Sequence, residues 1–186
     1  VVLTREPGGT KNAEKIRNLI LKDYFFSDSK EKFDKYTDTL LYLAARNEHI
    51  VNKIAPALLN KKVVICDRFI DSTTAYQVFG KGVNKKLIDN VHRKILRNIK
   101  PNLTFLLTVK AFKAFQRLKK RKVKNRYDKF SKKFYLKAQK AFIKTAIKNK
   151  NRFIVLDNSK DNNIVEKLIL QKFYSRFNRW TKLIKK

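Results

Sequence analysis

Val63-Val64-Ile65-Cys66-Asp67, introduced by Lys61-Lys62 and followed by Arg68, is the stretch that decides the fold. A β-branched run of this kind reads as a strand buried on both faces, the usual state of strands in a parallel sheet. Residues 103–109 and 153–157 are two further short apolar runs, and residues 1–4 read as the end of another strand. Longer segments with helical spacing lie between them. Thr10 is placed to cap a helix whose apolar face carries Ile16, Leu19 and Ile20. A helix over 39–59 carries Leu40, Leu43, Ile50, Ile54 and Leu58, with Pro56 expected to bend or end it. After Gly80 and Gly82, a helix marked by Leu87, Ile88, Val91 and Ile95 runs until Pro101 ends it. Basic helical stretches follow over 112–122 and 132–148, and Ile164, Val165, Leu168, Ile169, Phe173 and Phe177 mark a closing helix ahead of a basic tail holding Trp180. Strands alternating with helices predict an α/β fold with a parallel sheet, in one domain over 1–186.

Composition narrows the function classes. No apolar run approaches the ~20 residues of a membrane span, and the first residues lack a signal-peptide pattern. A lone cysteine, Cys66, excludes an internal disulfide and fits a reducing compartment, so the expected location is the cytoplasm. Lys plus Arg number 46 against 15 Asp plus Glu, a formal charge of +31. Such an excess is either a footprint for a polyanion or a lysine-rich surface on an ordinary fold. The lysines are scattered, with no basic arm and no nucleic-acid module, which favours the surface reading and no specific nucleic-acid partner. The chain holds no Met, so it is expected to begin inside a longer protein.

Several residues carry chemistry. In Arg5-Glu6-Pro7-Gly8-Gly9-Thr10, two glycines permit a tight turn with close backbone approach, and Arg5 offers a planar fork suited to phosphate; a plain strand-to-helix turn is the simpler reading. Asp67 and Arg68 stand at the carboxyl end of a strand, where open α/β sheets bind ligands; a carboxylate there serves Mg²⁺ in P-loop proteins, and a loop-capping Asp is the bland alternative. Tyr42 and Arg46, four apart on one helix, share a face away from Leu40, Leu43 and Ile54, either to read a base or as a ring covering an arginine stem. Ser72-Thr73-Thr74-Ala75-Tyr76-Gln77 groups short polar side chains that also suit a first helical turn. His49 and His92 are expected on helix surfaces, and Cys66 in the core; together they give no metal-ligand spacing and no nucleophile beside a base.

Taken in order, these segments resemble the thymidylate kinase family. Residues 4–10 (TREPGGT), with Ala13-Glu14 and Ile16-Arg17 behind them, are similar to its TREPGGT segment; residues 40–46 (LLYLAAR) to its LL-x-x-AAR helix; and Asp67-Arg68-Phe69 with residues 71–77 (DSTTAYQ) to its D-R-[YFH] and ST-x-AYQ segments. The similarity reaches about Val165. It implies a P-loop nucleoside monophosphate kinase fold and Mg²⁺-dependent transfer of the γ-phosphoryl of ATP to dTMP, giving dTDP and ADP. It also implies a homodimer. By resemblance, Arg5 and Arg68 hold the dTMP phosphate, Tyr42 stacks on thymine, and Arg46 and Gln77 read its polar edge. Ser72 and Thr73 line the pocket and Asp67 organises Mg²⁺. Arg117, Arg121 and Arg126 belong to a lid over about 117–133, with Arg117 and Arg121 acting on the transferred group and Arg126 on the nucleotide. Asn158 and Ser159 lie near the adenine.

The sequence departs from the family in places. The Walker A pattern GxxxxGK[ST] does not occur in the 186 residues, and is expected upstream with a first, central strand. Gln139 stands where relatives often have Arg, and lysine replaces arginine at several lid positions. The chain on its own is therefore expected to be poorly stable and inactive. Kinases for other nucleoside monophosphates, and a basic nucleic-acid-binding protein, are the competing readings.

Overall fold

Parallel pairing of strands far apart in sequence organises this protein. A computed structural model describes residues 1–23, 33–120, 130–160 and 163–184. They fall into two units, Val1–Pro101 with Arg121–Thr145, and Asn102–Lys120 with Ala146–Lys186.

In the first unit, β1 (Val2–Arg5) lies parallel to β2 (Val64–Asp67), with Val2 opposite Val64 and Arg5 opposite Asp67. Parallel strands need a long crossover. It consists of α1 (Lys11–Asn18), running on as a π-helical turn Leu19–Asp23, and of α2 (Lys35–His49), which continues through the π-helical turn Ile50–Ile54 into α3 (Ala55–Leu59). Thr10 caps α1 as expected, its hydroxyl accepting from the Ala13 amide at 3.3 Å. α1 packs against α2. Beyond β2, α4 (Ile70–Thr73) runs into a π-helical turn Thr74–Gly80, and Asn84 caps α5 (Lys85–Ile95) by accepting from the Lys86 amide at 2.8 Å. Leu43, Val83 and Ile88 form a core with Leu87, Val91 and Ile95 around it. A second cluster joins Ala75 to Ala138 and Ala141 of α7 (Lys132–Lys148), flanked by Tyr76 and Phe142; small side chains there allow close approach of helices.

In the second unit, β3 (Thr104–Thr108) lies parallel to β4 (Phe153–Asp157), Thr104 opposite Phe153 and Thr108 opposite Asp157. α6 (Ala111–Lys119) follows β3, and α8 (Ile164–Ile184) follows β4. The α/β class with parallel strands forms as read. The strands make two pairs and not one continuous sheet, so among the described residues β2 and β3 each have a neighbour on one side only.

Several expectations are corrected. β2 is not buried on both faces: its side chains alternate half-buried and exposed, and Ile65 is 52% exposed opposite Leu3 at 71%. One face of this pair is uncovered among the described residues. Leu19, Leu40 and Leu58 are exposed, while Ala13, Ala45 and Ala57 take the buried positions, because close contacts select small side chains. Arg46 is buried together with Leu43, three positions before it, and not on an opposite face. His49 is fully buried and His92 half-buried, drawn inward by a buried ion pair that needs further polar partners. Cys66 is half-buried and not in the core; burial pushes its thiol up to about 12. Finally, α5 stops at Ile95, ahead of Pro101, because Arg97 and Asn98 turn into the left-handed region at φ 49° and 64°.

Candidate active site

At the carboxyl ends of β1 and β2 the chain turns inward. The Glu6 amide still donates to the Asp67 carbonyl at 2.9 Å, extending the ladder by one bond. Pro7-Gly8-Gly9 then makes a turn with φ of 127° at Gly8 and 89° at Gly9. A Cβ at Gly9 would stand 2.6 Å from His49 Nε2 and 2.5 Å from Thr4 Oγ1, so glycine is required both by conformation and by space. The Gly9 amide donates to Glu14 at 2.9 Å.

This turn sends the Glu6 side chain into the interior, where it is 5% exposed. Arg46 meets it with Nη2 at 2.7 Å and Nε at 2.8 Å from the same oxygen, Oε2, while His49 Nδ1 donates to Oε1 at 3.2 Å. His49 Nε2 is bonded to Thr4 Oγ1 at 2.6 Å. Burial alone would raise the Glu6 pKa, but the Arg46 charge and the bonds from His49 and Arg46 hold it below the usual carboxylate range. Arg46 Nη1 donates to Thr73 Oγ1 at 2.8 Å and to His92 Nε2 at 2.7 Å, and its guanidinium lies 5.3 Å from the Phe69 ring centroid. Burial, then the Arg46 charge, pushes His92 down to about 4. Its neutral ring is therefore an acceptor.

Around this buried pair gathers a rim of positive charge. Arg5 is exposed and pairs with Glu14 at 3.3 Å. Arg17 donates from Nη1 to the Pro7 carbonyl at 2.6 Å. Burial and then the charge of Arg5, with a further contribution from Arg68, lower the Arg17 pKa, and Tyr42 lies within electrostatic reach of it. Arg68 holds a left-handed backbone, φ 67°, with its guanidinium 4.6 Å from the Tyr76 ring centroid and its Nε donating to Ser72 at 3.4 Å. Gln77 is buried on the turn after Thr73, and Asp67 is exposed at the end of β2. Arg17, acted on by the charges of both Arg5 and Arg68, marks a concentration of positive charge suited to an anion.

The first unit thus gathers Arg5, Arg46, Asp67, Arg68, Ser72 and Thr73 at one strand end, with Tyr42 near Arg17, while Gln77 lies buried on the turn that follows Thr73. The second unit gathers Arg117, Asn158 and Ser159. Arg117 Nη2 donates to the Asn158 carbonyl at 2.9 Å, and Ser159 Oγ accepts from the Lys110 amide at 3.0 Å. Arg121 and Arg126 lie outside the described residues, as do the tail side chains including Trp180. Residue-level reasoning missed Glu6, Arg17, His49 and His92 as parts of the site. His49 had a signal, since it follows Arg46 by three positions on one helix; His92 had none in its own segment. Among the described residues, no group of three or more His, Cys, Asp or Glu side chains is set to hold a metal, and no helix is long and apolar enough to cross a membrane.

Comparison with known proteins gives the family of the chain. The family model for thymidylate kinase matches residues 1–169. A thymidylate kinase of Wolbachia pipientis subsp. Culex pipiens is 45% identical over 167 residues, covering 89% of this chain and 76% of that protein. One from Sulfurihydrogenibium sp. is 35% identical over 176 residues, covering 95% and 83%. The crystal structure of thymidylate kinase from Ehrlichia chaffeensis superposes with a TM-score of 0.65 at 35% identity, covering 85% of this chain and 70% of that one.

Proposed function

Because this chain belongs to the thymidylate kinase family, ATP-dependent enzymes of the P-loop kinase fold, we propose that the strand-end cluster of its first unit is a dTMP site serving phosphoryl transfer from ATP. The observation that carries this reading is the pairing of a buried, fixed Arg46 with a rim of exposed Arg5 and Arg68 and half-buried Arg17. One offers directed donors for a base, the other a field for a phosphate. Arg5 and Arg68 take the dTMP phosphate, with Arg17 beside them. Tyr42 stacks on thymine, Arg46 and Gln77 donate to its polar edge, and Ser72 and Thr73 line the pocket.

The chemistry asks for positioning and charge neutralisation. An oxygen of the dTMP phosphate, already ionised at neutral pH, attacks the γ-phosphorus of ATP. The bond from that phosphorus to the bridging oxygen of ADP breaks as the new one forms. No protein nucleophile is needed, in keeping with a site made of arginines. Arg68 acts on the developing charge. In the second unit, Arg117 serves the ATP phosphates, and Asn158 and Ser159 the adenine. A single exposed carboxylate, Asp67, suits Mg²⁺, which takes few protein ligands and keeps phosphate and water oxygens around it. When bound, Mg²⁺ offsets the charge of the ATP phosphates. We also assign a cytoplasmic, homodimeric enzyme.

A calorimetric panel of nucleoside monophosphates tests the substrate. The expected result is dTMP binding at least about tenfold tighter than AMP, GMP or CMP. Equal or tighter binding of any of these would overturn the assignment.

A further inference from the structure

No local pattern in the sequence marks His92, yet its ring contacts the residue proposed to meet the base. It follows Ile88 by one turn of α5, on the side that packs against Leu43 of α2. Its position is thus set by the core. The ring accepts from Arg46 Nη1 at 2.7 Å. With a pKa pushed down to about 4 by burial and the Arg46 charge, it stays an acceptor at neutral pH; Asp89, Glu6 and Lys85 are the other charges that act on it.

The geometry around Arg46 explains why this matters. Both Nε and Nη2 point at the same Glu6 oxygen, Oε2, at 2.8 and 2.7 Å. Two donors on one acceptor form a pivot about which the guanidinium can swing. The bonds from Nη1 stop that swing. Thr73 accepts one, through a hydroxyl that rotates on its own, and His92 accepts the other through a rigid ring. With the guanidinium plane so held, the outer N–H of Nη2 is the donor left pointing away from Glu6.

We infer that His92 is a specificity-determining positioning residue, whose ring acceptor fixes the rotation of Arg46 and thereby sets the preference for thymine. This rests on the reading that Arg46 meets the base. The test is calorimetric, comparing dTMP with 2-deoxyribose 5-phosphate, which carries the phosphate and lacks the base. Wild type is expected to prefer dTMP clearly. His92→Phe, which keeps an aromatic ring and removes the acceptor, is expected to lower dTMP affinity about tenfold with little effect on the abasic phosphate. His92→Gln, which restores an acceptor, is expected to recover most of the preference. An unchanged ratio of the two affinities in His92→Phe overturns the inference, as does an equal loss for both ligands, which marks a structural role only. If His92→Phe does not fold, His92→Leu and His92→Gln give the same comparison. A wild type with no preference for dTMP over the abasic phosphate refutes instead the placement of Arg46 at the base, and the inference with it.

Discussion

Arg68 and Gln77 carry two different parts of the proposed dTMP site. Arg68 is exposed, in a left-handed backbone conformation that costs a non-glycine residue on the order of 1 kcal/mol or more, and its guanidinium is held over Tyr76. Gln77 is buried. Arg68→Ala in the active enzyme is expected to lower kcat by about 100-fold or more, the scale of removing a donor that meets developing charge. Its melting temperature should barely fall, since the side chain fills no core. Gln77→Ala is expected to raise KM for dTMP and weaken selection of thymine, with kcat less affected. Steady-state kinetics separates the two, and near-normal turnover in Arg68→Ala would remove it from the phosphate site. At this scale the sequence was legible where a residue acts outward. The strand-end position of Arg5, Asp67 and Arg68 can be read from the sequence, but the inward partners Glu6, His49 and His92 cannot. They come from three separate segments, and only the folded chain joins them in one network around Glu6 and Arg46.

The element that sets the site is the turn between β1 and α1. Thr10 at the cap and two glycines before it could be read directly, since capping and positive φ have local signatures. What local reading misses is the reason for the second glycine: a Cβ there would strike both His49 and Thr4. Gly9→Ala is therefore expected to destabilise by about 3 kcal/mol or more, above the usual ~1 kcal/mol for alanine at positive φ, because it also breaks the Thr4–His49–Glu6 chain. Chemical denaturation measures it. A loss under ~1 kcal/mol would mean that the turn and the His49 ring adapt easily. Helix faces were legible only in part. Leu40 and Leu58 fit the period and are exposed, whereas Ala13, Ala45 and Ala57 are buried, since hydropathy ranks leucine first but close helix contacts favour alanine.

For the whole molecule, parallel α/β organisation could be read from alternation of strands and helices, whereas the number of ladder neighbours of each strand could not. Periodicity says nothing of what lies beside a strand, so β2 read as buried on both faces although Ile65 is exposed. The buried network gives the molecule a pH dependence with a definite sign. His92 has a folded pKa of about 4 against an ordinary 6.5, so the unfolded chain binds the extra proton first, and stability is lost as pH falls from 6.5 toward 4. Glu6 has a folded pKa below its ordinary 4.5, so its contribution is present above that value and is lost as pH falls through the folded pKa. Denaturant midpoints are expected to fall gently between pH 6.5 and 4, then further below that. His92→Gln should flatten the first part only. A wild-type midpoint constant from pH 7 to 4 would contradict the neutral, buried state of His92.

The most direct measurement of the dTMP site is a crystal structure of the protein with dTMP bound. The expected result has the phosphate within hydrogen-bond distance of Arg5 and Arg68, thymine against the Tyr42 ring, and its polar edge on Arg46 and Gln77. Nucleotide bound elsewhere, or bound at this strand end with its base turned away from Arg46 and Gln77, would contradict the site proposed here.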